Sequence, residues 1–262
     1  MRELTLFTLR RDARSLIVWC LSAIALIVLI VAFWPAIRDN PSLTKSFSGL
    51  SPSLQQAFGL ADLGTAEGYL NGQLYSTALP LLFIAFGIGH GSRAIAGEEE
   101  AGTIDLVLAT PLRRRDMVAG KAIAILTAMV VIAIACWLSV LISDPIFDVS
   151  ISAGNVAAAT AAVFALGLLY AALALALSGG TGSRSLSIAV ASGLAVAGFL
   201  YTSIAPFVPA LDRHLNLSPF QHAYGHEPIA NGVDWGDLAL LTGLAIAFAV
   251  VAVALFDRRD VH

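Results

Sequence analysis

Charge is scarce in this sequence. Asp, Glu, Lys and Arg make up only 13% of its 262 residues, against about 25% in soluble domains, and that deficit excludes an ordinary soluble fold. Lysine is rarer still, confined to Lys45 and Lys121. A phosphate-binding loop of the Walker A kind needs Gly-Lys-Ser/Thr five residues after a first glycine. Lys45 follows Thr44, while Lys121 follows Gly120 but precedes Ala122 and has Arg115 where the first glycine belongs. Neither fits, and the glycine-rich turn from Ser178 to Ser183 has no lysine. ATP binding by that device is therefore not expected of this polypeptide. The two cysteines, Cys20 and Cys136, each sit inside an apolar run, which argues against a disulfide framework or a thiolate metal site. They read as small buried hydrophobes. The first apolar run, Leu16 to about Trp34, is longer than the roughly 7–15 residues of a secretory h-region and no small-x-small cleavage site follows it, so an uncleaved anchor is expected.

What is present is hydrocarbon. Hydrophobic residues reach 58% and mean hydropathy is +0.82, which predicts an all-α integral membrane protein. Six segments are long enough to cross the roughly 30 Å hydrocarbon core: about 16–37, 74–96, 117–142, 153–177, 186–207 and 238–256. No strand alternation competes with them. Twelve of the lysines and arginines fall on the side of the two termini and of the connections between the second and third and the fourth and fifth spans. The other side holds only Arg38, Lys45 and Arg213. The positive-inside bias therefore puts both termini in the cytoplasm of a multi-pass protein of the plasma (inner) membrane. Ionisable groups noted in the spans lie at edges, His90 and Arg93 at one and Asp237 at another, with no series of the kind that forms proton relays or ion sites. A proton- or sodium-driven transporter is disfavoured, as is a channel with a charged ring. The intramembrane hydroxyls, Ser139, Thr160 and Thr202 among them, suit an amphipathic cargo or serve as packing links.

Residues 2–14 mix Leu4, Phe7 and Leu9 with four arginines and read as an interfacial helix with snorkelling cations. The external loops are expected at 38–73 and 208–237. In the first, Leu43, Phe47, Leu50, Leu54 and Phe58 form an amphipathic stripe broken by Gly49 and Pro52; in the second, His222 and His226 have helical metal-ligand spacing, but Gly225 and Pro228 argue against a regular helix. His90, near a helix end, reads as a histidine satisfied by neighbouring carbonyls, and Gly87, Gly89 and Gly91 as sites of close helix contact. Trp34, Tyr69, Tyr201 and Trp235 fit interfacial anchors.

The segment 97–116 is the one long charged stretch between two apolar ones. Gly97 is expected to break the preceding helix, and Glu98, Glu99 and Glu100 then occupy the first turn of a new one, where the macrodipole favours negative charge. Ile104, Val107 and Leu108 give that helix a narrow apolar face, with Asp105 on another side, until Pro111 disfavours helix at Thr110. Arg113, Arg114 and Arg115 form a basic elbow, and Asp116 is placed to cap the next helix.

The order Gly-Glu-x-Glu-x-Gly-Thr, then Thr-Pro, basic residues and Gly-Lys resembles the cytoplasmic signature of type-2 ABC transporter permeases. Here it is carried by Gly97, Glu98, Glu100, Gly102, Thr103, Thr110, Pro111, Arg113, Arg114, Gly120 and Lys121. The resemblance implies a single permease domain over residues 1–262 with a cytoplasmic coupling helix between its second and third spans. It implies a separate cytosolic ABC ATPase subunit, a second permease copy or a homologous permease as partners, and ATP and Mg bound by the ATPase rather than by this chain. It assigns ATPase coupling to Glu98, Glu99, Glu100, Gly102, Thr103, Asp105, Pro111, Arg113, Arg114 and Arg115. Export of an amphipathic or hydrophobic substrate follows from it, with the bilayer as surroundings and no nucleic acid.

The charges have a plainer reading, in which they only set topology. That accounts for the arginines better than for three glutamates followed by Gly-Thr and Thr-Pro. A non-transporting membrane subunit, a sensor or an assembly factor, would share the fold and the elbow. An intramembrane protease with a glutamate pair and a spaced arginine would need that arginine near position 103 or 104, which are Thr103 and Ile104.

Overall fold

The computed structural model describes residues 2–40, 49, 63–102 and 113–259, and every regular element among them is helical. Six helical stretches are long and apolar enough to span a bilayer: Phe7–Arg38, Ala66–Arg93, Arg114–Phe147, Ala153–Thr181, Arg184–Phe207 and Trp235–Arg258. This is the all-α, six-span architecture expected, with most helices running a few residues past the apolar runs. The third span has 34 residues and is about 51 Å long at 1.5 Å per residue, so its ends project beyond a core of about 30 Å.

The first span comprises α1 (Arg2–Ala32) and α2 (Trp34–Arg38); the second comprises α3 (Ala66–Leu70), a π-helical segment (Asn71–Ala78) and α4 (Leu79–Arg93). A one-turn helix α5 (Ala96–Glu100) follows, then α6 (Arg114–Phe147), α7 (Ala153–Thr181) and α8 (Arg184–Ile204). Five short helices, among them α9 (Pro209–Asp212), α10 (Pro219–Tyr224) and α11 (Pro228–Asn231), precede the last span, α12 (Trp235–Arg258). The start of α1 and the end of α12 both bond to the start of α6, through Thr5 to Gly120 and Asp257 to Arg115, and this end of the bundle is the terminal face; the opposite end is the far face.

Side-chain caps fix where the spans begin. Ser152 accepts the Asn155 amide at 3.3 Å, Ser183 that of Leu186 at 3.3 Å, and Asp234 those of Gly236 and Asp237 at 2.8 and 3.0 Å. Each supplies an oxygen to amides that have no partner within their helix. Between α7 and α8 the turn is closed by Gly182 at φ 64°, the left-handed cap conformation that glycine adopts without a Cβ penalty.

The fourth span, α7, is the most buried and packs chiefly on α4 and α12, while α1 lies along α6. Its alanine- and glycine-rich sequence has no polar face, as expected of a helix surrounded by others. Glycines face each other across this contact: a Cβ on Gly87 would lie 2.8 Å from the Gly167 carbonyl, and one on Gly167 would lie 2.6 Å from Phe83 Cβ. Gly91 is tighter still, its Cβ position 2.4 Å from the Ala171 carbonyl, whereas a Cβ on Gly89 would meet nothing within 4 Å.

Several local expectations are corrected. The arginine-rich leader is helical but continuous with the first span rather than a separate interfacial helix. The break after the second span falls at Ala94–Ile95, with Gly97 inside α5, because the backbone groups freed there are taken by side chains of other spans. Asp116 does not cap α6; the helix begins at Arg114, and Arg113 precedes it in extended conformation. Trp34 and Tyr69 are buried and stack on each other at 5.7 Å, with the Tyr69 hydroxyl on the Ile30 carbonyl at 2.9 Å. Of Trp34 and Trp235, the two tryptophans expected as anchors, only Trp235 is exposed. The stripe from Leu43 to Phe58 and the residues Thr103, Ile104, Asp105, Val107, Leu108, Thr110 and Pro111 lie outside the described residues.

Candidate functional site

On the terminal face, α5 sits where the ends of the spans converge. The polypeptide leaves α4 at Arg93 and turns through Ala94 and Ile95. Ser178 of α7 holds that turn: its hydroxyl accepts the Ala96 amide at 2.9 Å and donates to the Ser92 carbonyl at 2.9 Å. Both serines are fully buried. Lys121, about two helical turns into α6, donates to the Ala94 carbonyl from the other side. A helix break inside a packed bundle leaves amides and carbonyls that must find partners. Here α6 and α7 supply them.

The three glutamates of α5 then point in three directions. Glu98 pairs with Lys121, and its other oxygen accepts from Arg11 of α1 at 3.2 Å. Lys121 is only 2% exposed, so its charge rests on this pair and on the Ala94 carbonyl. Glu99 accepts from Arg259, just past α12, at 2.6 Å. That pair lies directly over Gly182, where a Cβ would run into both side chains. Glu100 is exposed and accepts the Arg184 amide, at the first residue of α8, at 3.0 Å. One turn of helix is thus tied to the first, third, fifth and sixth spans, and through Ser178 to the fourth.

A second tier of charge surrounds it. Arg93 donates to Asp12 at 2.9 Å, joining α4 to α1. In the basic elbow, Arg115 donates to Asp257 at 2.8 Å, and Arg114 donates to the Arg259 carbonyl at 2.5 Å with its guanidinium 5.8 Å from the Phe256 ring centre. Arg113 is exposed, as is Gly102 at φ 65°. The Thr5 hydroxyl donates to the Gly120 carbonyl at 3.1 Å, so the leader packs on α6 beside the Gly-Lys pair.

The coupling residues named from sequence are therefore brought together where they are described. Glu98, Glu99, Glu100, Arg114 and Arg115 converge on one patch, with Arg113 and Gly102 at its rim; Thr103, Asp105 and Pro111 lie outside the described residues. Sequence reasoning missed their partners. Lys121 was counted among the loop cations although it lies within a span, and Arg11, Arg259 and Ser178 carried no local signal at all.

Other singled-out residues take quieter roles. His90 Nδ1 donates to the Phe86 carbonyl at 3.0 Å and its ring stacks on Phe86 at 4.0 Å. His222 bridges Asp237 at 2.6 Å and the Asn216 carbonyl at 2.7 Å, anchoring α10 to the start of α12 on the far face. Among the described residues no three His, Cys, Asp or Glu side chains gather as metal ligands. The intramembrane hydroxyls mostly bond within the protein: Thr127 and Thr160 to carbonyls four residues earlier at 2.8 Å, Thr202 to Ser218 at 2.6 Å, and Tyr201 to the Leu211 carbonyl at 2.9 Å.

Comparison with curated proteins finds no match. The model of one family, described as ABC-2 family transporter protein, matches residues 9–261, which takes in all six spans and the α5 cluster almost entire. With nearly its whole length so matched, this multi-pass membrane protein belongs to the ABC-2 family of transporter proteins.

Proposed function

We propose that the chain is the permease subunit of an ATP-binding cassette transporter, one permease domain throughout, driven by a separate cytosolic ATPase that docks on the terminal face. On this reading that face is cytoplasmic, as the positive-inside bias suggests. The functional complex pairs two permeases, identical or homologous, with the ATPase subunits, which hold the ATP and Mg. The cargo is an amphipathic or hydrophobic compound moved outward.

One observation carries the reading. A single helical turn, α5, bonds through Glu98, Glu99 and Glu100 to residues of the first, third and fifth spans and to Arg259 just past the sixth. A push or pull applied to α5 by a partner is delivered to all of them together, whereas a surface loop that merely solvates charge would need no such ties. The glutamates act as the inner anchors of this lever. The exposed partner-facing surface is left to Gly102 and Arg113.

The test is biochemical. The purified chain should neither bind nor hydrolyse ATP, should co-purify with an ATP-hydrolysing subunit when the two are expressed together, and should alter its ATPase rate. Photo-crosslinkers placed along 97–116 should capture that subunit in cells. Crosslinks appearing only from the outside of the cell, or reaching no nucleotide-hydrolysing protein, would remove the assignment.

A further inference from the structure

On the outer side of the bundle, α6 and α12 flank α7 and leave between them a groove of about 160 Å³. Every described residue lining it is apolar. The most exposed are Ile123 and Leu126 on α6 and Ile246 on α12, at 44%, 39% and 64%, while Leu168 of α7 and Ala249 of α12 are half-buried within it. An occupant therefore meets side chains with free surface. A length of hydrocarbon chain can lie along the groove, whereas a helix about 10 Å across could offer it only single side chains.

Both walls run on to the terminal face and are joined there by a charge pair. Arg115 stands seven residues before Ala122 of the groove and Asp257 eight after Ala249, spacings that keep each on the groove side of its helix, about 10–12 Å from the groove along the axis. Ala119 and Val253, apolar and half-buried, continue the two lines between. Arg115 Nε and Nη2 both donate to Asp257 Oδ2, at 3.1 and 2.8 Å, and no described residue bonds to Arg115 Nη1 or Asp257 Oδ1. The two side chains are 70% and 35% exposed. The pair thus presents an unused donor edge beside an unused carboxylate oxygen. Since α6 begins at Arg114 and is longer than the hydrocarbon core, Arg115 falls in the headgroup layer.

We propose that the groove and the charge pair together bind one glycerophospholipid whose headgroup ends in a primary ammonium, as in phosphatidylethanolamine. One acyl chain lies in the groove, the phosphate accepts from Arg115, and the ammonium donates to Asp257. The match is by charge and by order: a cation and an anion side by side on the protein meet an anion and a cation side by side on the lipid, and both contacts are charge-assisted. An anionic headgroup would satisfy Arg115 but bring a second negative charge to Asp257. A choline headgroup has the positive charge but no N–H for the carboxylate. Among lipids with the same chains the groove contributes equally, so the choice between headgroups falls to the pair. The inference stands apart from how the transporter is powered and from what it carries, so loss of ATPase co-purification would leave it intact.

The experiment uses the full chain, delipidated in a mild detergent and titrated with lipids of identical dioleoyl chains, the bound fraction being read by native mass spectrometry. Phosphatidylethanolamine, phosphatidylcholine and phosphatidylglycerol are compared, with phosphoethanolamine as the headgroup alone. One phosphatidylethanolamine should bind at least ~10-fold tighter than phosphatidylcholine, since hydrogen bonds to charged groups are the costly ones to lose, and phosphoethanolamine should not displace it. Asp257→Asn should erase the preference for ethanolamine over choline, and Arg115→Gln should weaken all three lipids through their shared phosphate. Ile246→Trp, which covers the groove from its exposed wall, should weaken all three alike and keep their order. Should a variant of the pair misfold, judged by helicity and gel filtration, the wild-type ranking and I246W still decide. Equal binding of the three headgroups, phosphatidylglycerol bound more tightly than phosphatidylethanolamine, displacement by phosphoethanolamine, a preference that survives D257N, or lipid binding unchanged in I246W would each overturn the proposal.

Discussion

Lys121 and Glu98 form a buried ion pair that closes the terminal face over the Ala94 carbonyl. Removing the cation alone leaves a carboxylate and a carbonyl without their main donor in a site that is 3% exposed on the lysine side and 12% on the glutamate side. Lys121→Met should therefore destabilise the protein by about 3–5 kcal/mol, the cost of an uncompensated buried charge. The paired replacement K121M/E98L should recover much of that loss. Melting curves by helicity in a mild detergent distinguish the two, and a double variant no better than K121M would show that the pair is not what holds the break together.

Gly182 is required twice over. Its φ of 64° costs a side-chain-bearing residue about 1–2 kcal/mol, and a Cβ there collides with the Arg259–Glu99 pair. Gly182→Ala should lower the melting temperature and expose the C-terminal arginines to trypsin. In an Arg259→Ala background the same change should cost less, because one of its two penalties is already spent. Equal costs in both backgrounds would separate Gly182 from the pair.

The glycines of the second span should respond with opposite signs. Gly87→Ala inserts a methyl group against the Gly167 carbonyl and Ala171, and overpacking of this kind costs typically ~1–3 kcal/mol. Gly89→Ala meets nothing and should stabilise by up to about 1 kcal/mol through helix propensity. Two alanines one half-turn apart thus form an internal control, read in a single melting experiment. A matching destabilisation by both would mean that α4 and α7 do not meet along this line.

These contacts also mark how far the sequence reaches. The six spans were legible because long apolar runs admit no other solution, and α5 was legible in part because Glu98 and Glu99 fall in its first turn. The break itself was misplaced by three residues, at Gly97 rather than at Ala94–Ile95. Glycine is a local signal, but what permits the break is Ser178, 82 residues away, and Lys121, 27 residues beyond Ala94. In the same way Trp34 and Tyr69 carry the composition of interfacial anchors, and only the fold brings them together. Lys121 carries only a topology signal in the sequence, and its pairing with Glu98 appears only once α6 packs beside α5.

On the far face, pH should act through Asp234. Its carboxylate accepts two amides of the first turn of α12, chiefly that of Asp237, which holds its pKa below the usual aspartate range. A depressed pKa stabilises the fold fully above the unfolded value, and the gain disappears as pH falls through the folded one. The Gly236 and Asp237 amides should thus be protected from hydrogen exchange at pH 5 to 7, once corrected for intrinsic rates, and lose protection below about pH 4. Asp234→Asn keeps a capping oxygen without the titration, so its protection should be flat across the same range; a wild-type profile that is equally flat would take the carboxylate out of the account.

The Arg259–Glu99 pair offers the sharpest test of whether α5 is a lever or only a staple. It joins the turn after the second span to the end of the sixth, and its side chains are 25% and 12% exposed, so losing it should cost less than losing the Lys121 pair. In complexes with the ATPase, nucleotide should change the distance between spin labels at Ile146 and Leu217, both exposed on the far face. If force passes through the pair, Glu99→Ala and Arg259→Ala should each shrink that change by several-fold while ATP hydrolysis continues. The double variant should then be no worse than the worse single, because both changes remove the same contact. A staple predicts otherwise: each variant would melt a little earlier and the nucleotide-driven change would survive in full. Glu100→Ala sharpens the comparison, since its carboxylate only caps the Arg184 amide at the start of α8. Loss of motion in the Glu99 and Arg259 variants alone would route the force to the sixth span, and loss in all three would spread it over the whole turn.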